Sequence, residues 1–404
     1  MPSIHSAIIQ RPANNFAKAF NGKNNAFGFL RLVLAVLVVF SHSFALGGFG
    51  IDPLHALTQG RYNIGLASVA MFFVLSGFLI ARSAANSPSI GRFLWHRFLR
   101  IFPGYWICLV LCACVFAPLM AYAESGSLTR IFSLPWNSPQ SFIFNNAGVL
   151  HLNGFSVEGV VMFRPNSIGG VLRHNPVPGV LNGSLWTLPY ELGCYLAVAA
   201  AAMLGVFRRA RALVLALFAG LWCLHAYDCL NPEGFSRCFP SIGVKQLVML
   251  CLYFCAGCAC FLYREKIPLS RRLFIGALLL LGISLAAGVF GLVAPIAMTY
   301  AFLWLAFSLP FARFDARGDF SYGTYIYAFP IQQGLTLLGL PESGFGFYFV
   351  CSLLMTLLFA FLSYRLVEAP CLRWKHLVVT IPARQKASGP SGEICPVSTV
   401  STPG

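Results

Sequence analysis

Charge is what this sequence has least of. Only 10% of its 404 residues are Asp, Glu, Lys or Arg, and 12 acidic residues face 28 basic ones. So few charges cannot coat a soluble domain that is 58% hydrophobic, so the composition is that of a polytopic membrane protein. Also missing is the early apolar core of a cleaved signal peptide. Residues 1–26 are polar, rich in Asn and basic residues, and read as a cytoplasmic tail. No repeat recurs at a fixed period and no pair of equivalent broken helices appears in two halves, which weighs against a secondary transporter. A net charge of +16 would suggest nucleic acid in a soluble chain. Here the basic residues fall in short loops between apolar runs, as membrane orientation requires, and a nucleic-acid partner is excluded.

What the chain does have is apolar runs of membrane length. The first, residues 27–48, is followed by runs near 62–82, 101–122, 184–205, 212–228, 244–263, 272–290, 292–311, 320–340 and 344–366. The expectation is an all-α polytopic protein of about ten transmembrane helices. Arginines cluster in alternate loops, so both termini are expected in the cytoplasm. Residues 27–376 form the expected transmembrane domain, and residues 377–404, rich in Ser, Pro, Gly and Thr, are expected to be disordered. One long outer segment, 123–183, reads as a functional cover or loop, with the aromatic stretch 131–144 as an interfacial or re-entrant candidate. Most of the 14 cysteines sit inside apolar runs and read as small packing residues rather than metal ligands. Cys229 and Cys238 share an outer loop, where a disulfide and two free thiols are both open.

Two costly residues stand in the first run. Arg31 and His42 are eleven steps apart, roughly 16 Å along a helix and within roughly 20° of the same face. An ionisable group in a span costs on the order of 2 to 4 kcal/mol unless it faces protein or water. Two on one face suggest a lined polar pathway; Arg31 alone also reads as a snorkelling anchor. Of the eight histidines, only His42 lies well inside a run, His225 being near an outer helix end, which makes His42 a general-base candidate, since imidazole takes a proton near neutral pH. Arg97 and Arg100 share a helix face at the cytoplasmic entry to the third run, and Arg82 closes the second. With Arg31 they form a set of guanidinium groups suited to phosphate, or else ordinary positive-inside anchors. On the outer side, Ser184, Trp186, Tyr190 and Glu191 open the fourth run. The aromatic pair reads as an interfacial belt, whereas Glu191 lies deep enough to need a partner and is expected at a depth similar to His42.

These motifs together resemble the membrane acyltransferase-3 family, bacterial polytopic enzymes that acylate extracytoplasmic glycans, over residues 27 to about 376. The resemblance rests on Arg31 and His42; on Ser76, Gly77, Phe78 and Arg82; and on Arg97, Arg100 and Pro103. It continues through Trp186, Leu188 and Glu191; then Ser321, Tyr322, Gly323 and Tyr325, with Phe329 and Pro330; and ends on Glu368, Pro370 and Arg373. Where many relatives carry a second histidine before the Phe-Pro pair, this chain has Ala328, so no role for that histidine carries over.

The resemblance implies transfer of an acyl group, with acetyl-CoA as the expected donor, to a hydroxyl of an extracytoplasmic or lipid-linked glycan, in the bacterial inner membrane and without a metal. Arg31, Arg82, Arg97 and Arg100 would hold the acyl-CoA, and the thioester would arrive near His42. His42 would deprotonate the hydroxyl or carry the acyl group, while Glu191 would orient the imidazole or the sugar. Ser184, Trp186, Tyr190, Tyr322, Tyr325 and Glu368 are the expected acceptor or structural residues. Acceptor selection would fall to the outer loops or to partner proteins. A transporter or flippase, with Arg31, His42 and Glu191 lining its path, is the rival reading.

Overall fold

The computed structural model describes residues 14–20, 25–132, 138–148, 172, 174–312, 314 and 318–377. Every named element among them is helical. The long helices are α1 (Phe27–Leu46), α2 (Ile64–Asn86), α3 (Ile90–Ser125), α4 (Leu188–Met203), α5 (Arg211–Leu230), α6 (Ile242–Leu262), α7 (Arg271–Ala286), α8 (Phe290–Ser308), α9 (Ser321–Leu337) and α10 (Phe345–Ser363). Each overlaps one of the apolar runs, with α3 starting well before its run at 101–122. By length and composition, seven helices among the described residues are able to cross a membrane. The helices α4, α7 and α9, of 16, 16 and 17 residues, are shorter than such a span. The closely spaced seventh and eighth runs form a hairpin, turned at Gly288 with a φ of 69° that suits glycine.

Lipid tails are as apolar as leucine, so helices in a bilayer associate through close packing and polar contacts rather than through a hydrophobic drive. The crossing of α2 and α6 meets that demand with glycine. A Cβ on Gly77 would lie 2.0 Å from the Phe254 carbonyl oxygen, and one on Gly257 would lie 2.0 Å from that of Val74. Against this pair, α1 runs antiparallel to α2. Phe27 of α1 packs on Phe78, and Ser41 bonds Asp52 in the loop leading to α2 at 2.7 Å. The buried Asp52 also receives the Leu54 and Ile64 backbone N–H groups, tying the carboxyl-terminal half of α1 to the start of α2.

Helix α9 runs parallel to α1 and is laced to it by polar groups. Gln332 donates to the Val39 carbonyl and to Ser43 Oγ, each at 2.9 Å, and Thr336 donates to the Leu46 carbonyl. Residues 174–182, near the end of the long segment 123–183, lie over α9. Asn175 donates to the Gln333 carbonyl and Oε1, while Gln333 donates to the carbonyls of Val177 and Val180. Asn182 donates to the Ile326 carbonyl and approaches Cys112, at the start of a π-turn (Cys112–Phe116) within α3. Earlier in this segment, a helix at Pro139–Asn146 is tied to α3 through Tyr105 and Trp106, and residues 149–171 lie outside the described residues.

The amino-terminal tail is partly folded. Phe16 is fully buried against Tyr300 and Phe307, and Phe20 packs on Phe27 and Phe78. The tail expected at 377–404 lies outside the described residues beyond 377. Cys229 and Cys238 are free thiols, the first buried beside His225 and the second exposed.

Candidate active site

The parallel pair α1 and α9 bounds a cavity of about 120 Å³, bordered by α2, α3 and the start of α4, whose apolar walls carry a cluster of charged and polar side chains. Its lining includes Arg31, Ser76, Arg97, Arg100, Thr187, Glu191, Tyr195, Ser321, Tyr322 and Tyr325. Residues from five helices thus meet at one place, although Arg31 and Tyr325 are almost three hundred positions apart.

Asp319, just before α9, organises the cationic end. Its Oδ2 accepts from Arg31 at 2.6 Å and from Arg100 at 2.5 Å, while its Oδ1 accepts from the hydroxyl and backbone N–H of Ser321. Burial alone would raise its pKa, but the guanidiniums of Arg100 and Arg31 hold the carboxyl well below the usual carboxylate range. One carboxylate between two guanidiniums leaves this trio positive. Arg97 is held differently. Its guanidinium lies 6.0 Å from the centre of the Tyr195 ring, and its buried Nε has no hydrogen-bond partner. It is the cavity's uncommitted donor, and burying such a group is costly unless something else meets it.

Glu191 sits at the same end of the site as the arginines. Its Oε1 accepts from Tyr195 and, at 3.5 Å, from Ser76. The expected pairing of Glu191 with the imidazole is therefore not seen. The start of α4 sets this carboxylate in the cavity, whereas His42 packs against Phe329, with ring centroids 5.4 Å apart and planes at 81°. His42 Nδ1 is buried without a hydrogen-bond partner. The residues on either side of His42 are fixed, Ser41 by Asp52 and Ser43 by Gln332, so the imidazole is held by its backbone and leaves a nitrogen open.

One row of α9 connects the two places. Tyr325 lines the cavity and bonds Thr187 at 2.9 Å; one turn further, Phe329 touches His42 on one side. On its other side Phe329 fills the space over Gly183, where a Cβ would come within 2.5 Å of the ring. Gly183 is therefore the residue that lets Phe329 sit there.

The remaining expected residues are dispersed around this row. Tyr322 lines the cavity and donates to the Ile101 carbonyl. Glu368 is buried behind it, bonded to Ser363 at 3.4 Å with Oε2 unpartnered, and Gly104 gives both side chains room. Ser184 is buried with its Oγ unpartnered. Trp186 and Tyr190 meet edge to face, and Tyr190 points away from the cavity into an apolar groove. Arg82 is outside the cavity, its guanidinium 4.6 Å over the Phe20 ring. Asp319 and Gln332 were not legible as site residues, because their partners are distant in sequence; Tyr195 and Asp52 bond near neighbours, Glu191 and Ser41, and carry no motif that marks them. Among the described residues no cluster of three metal-ligating side chains occurs.

The family model described as "Acyltransferase domain" matches residues 24–365. A protein named "O-acetyl transferase" from Shigella phage Sf6 is 28% identical over 352 residues, covering 86% of this chain and 95% of the relative. "Nodulation protein 10" of Rhizobium leguminosarum bv. viciae is 28% identical over 386 residues, covering 89% and 96%. No solved structure matches the chain.

Proposed function

This chain belongs to the acyltransferase-3 family, and from that premise we propose that it moves an acetyl group from acetyl-CoA to a hydroxyl of an extracytoplasmic or lipid-linked glycan. The reading includes ten crossings of the cytoplasmic membrane with both ends inside. The short α4, α7 and α9 cross among longer neighbours, and arginines gather at alternate helix ends.

The observation that carries this reading is the row from Arg97 to His42: an uncommitted guanidinium in a positive cavity, and, beyond Phe329, an imidazole with an open nitrogen. Arg97, with the Arg31–Asp319–Arg100 trio behind it, would bind the donor's phosphates, and the flexible thiol arm would lie past Tyr325 and Phe329. At the outer end His42 takes the proton of the acceptor hydroxyl. The oxygen forms its bond to the acyl carbon, the carbon–sulfur bond breaks, and the thiolate leaves with its electron pair and collects the proton. Glu191, on the arginine side, orients the cavity rather than the imidazole. The relative named O-acetyl transferase supports the acetyl and oxygen parts of the reading.

The test is transfer of label from acetyl-CoA to a crude glycan by membranes containing the chain. Label on the glycan that disappears with His42→Ala supports the reading. Proton-driven uptake without consumption of acetyl-CoA would replace it with a transporter.

A further inference from the structure

The face of α4 turned away from the cavity borders a second space, lined without any charged side chain among the described residues. Between α4 and α5, and floored by α6, runs an open groove of about 420 Å³. Its walls are apolar, including Cys194, Ala197 and Ala201 of α4, Leu217 of α5, and Phe254 of α6. In a soluble protein such a slot would be filled by a side chain or would collapse. In a bilayer only hydrocarbon is present at that depth, and an unfilled slot would forfeit the contacts of its lining.

Two features say what fills it. The α4 wall runs from Tyr190 to Ala201, eleven steps or roughly 16 Å. That is close to half of the ~30 Å hydrocarbon core, the depth of one leaflet. At its far end the chain turns through the short helix Val206–Arg209 into α5, with Phe207 and Val214 still lining the groove. There Arg209 and Arg211 are exposed, and neither pairs with a carboxylate among the described residues. A one-leaflet apolar slot that ends on two free guanidiniums has the form of a phospholipid with a negative headgroup.

We propose that this groove binds one anionic phospholipid of the leaflet on the arginine side, with an acyl chain along α4 and the headgroup phosphate at Arg209 and Arg211. The site rests on the membrane reading of the chain and not on its transfer chemistry. Since Glu191 and Tyr195 project from the opposite face of α4, the lipid wedges the helix that holds them.

The test is native mass spectrometry of the purified, delipidated full chain titrated with phosphatidylglycerol or phosphatidylcholine. One phosphatidylglycerol should bind first, and the double variant Arg209→Gln/Arg211→Gln should weaken it about thirtyfold while leaving phosphatidylcholine unchanged. Ala197 is exposed in the groove, and Ala197→Trp should block the first phosphatidylglycerol. Equal binding of the two lipids by the unaltered chain, or a first lipid indifferent to Ala197→Trp, would overturn the proposal. So would a dimer that buries the groove. Should Ala197→Trp fail to accumulate, the double variant at two exposed positions decides alone, and unchanged phosphatidylglycerol binding there would overturn the site.

Discussion

The two ends of α1 solve opposite problems with the same kind of residue. At one end Arg31 is a charge held by a partner: Asp319 binds it and Arg100 together, and Ser321 steadies the carboxylate. At the other end His42 is fixed through its neighbours but left open at Nδ1, with only an aromatic edge against it. A buried polar group is normally paired because leaving it unpaired costs about 1 to 3 kcal/mol. An answered group is architecture, and an unanswered one in a rigid frame is where a substrate is expected to supply the missing partner.

The comparison is broken most directly at its open end. His42→Ala should lower acetyl transfer by about 10²- to 10⁴-fold, the usual worth of a positioned general base, with normal protein level in the membrane. Retained transfer would remove His42 from the chemistry. At the answered end the cost should instead appear as stability. Asp319→Asn leaves two guanidiniums facing one another, and should destabilise the fold by about 3 kcal/mol and weaken donor binding. A lower thermal midpoint together with a raised KM for acetyl-CoA is the expected pair of results. If only the midpoint moves, the trio is architecture alone.

Arg97 and Gln332 sharpen the division. Arg97→Gln removes the uncommitted guanidinium, and should raise the donor KM about tenfold or more, as for a lost hydrogen bond to a charged group, with kcat little changed. Gln332→Leu removes two bonds beside His42. Each is worth about 1 kcal/mol, so kcat should fall by up to about thirtyfold while the donor KM stays in place. A kinetic pattern with these two exchanged would reverse the roles of the two ends.

Much of the fold was legible because a membrane makes hydrophobic length visible, and every apolar run is a helix. His42, Arg31 and Glu191 were legible for the complementary reason, that charge in such a run is costly. The same logic hid α9's role. Being buried among other helices rather than facing lipid, it needs neither full length nor uniform apolarity, and it carries Gln332, Gln333 and Thr336, whose side-chain donors reach distant backbone carbonyls. Asp319 was illegible because, before Ser321, it resembles any residue that caps a turn. Only folding brings Arg31 and Arg100 to it from 288 and 219 positions away. Glu191 lies beside the arginines rather than level with His42, since residues 183–187 form a 3-10 turn packed inside the bundle before α4 begins.

Arg82 supplies the finest cut. Its motif groups it with the arginines expected to hold the donor, yet its guanidinium stacks on Phe20 of the folded tail and does not line the cavity. A cation–π contact at a partly exposed site is worth about 0.5 to 1 kcal/mol. Arg82→Gln should therefore lower the thermal midpoint slightly and leave the acetyl-CoA KM within about twofold, since uniform binding energy is lost only when a contacting group is removed. Measured beside Arg97→Gln, it separates an arginine that meets the donor from one that only fastens the tail. A severalfold rise in KM would mean that the donor's nucleotide end reaches past the cavity to Phe20, and the cationic end of α1 would then extend onto the amino-terminal tail.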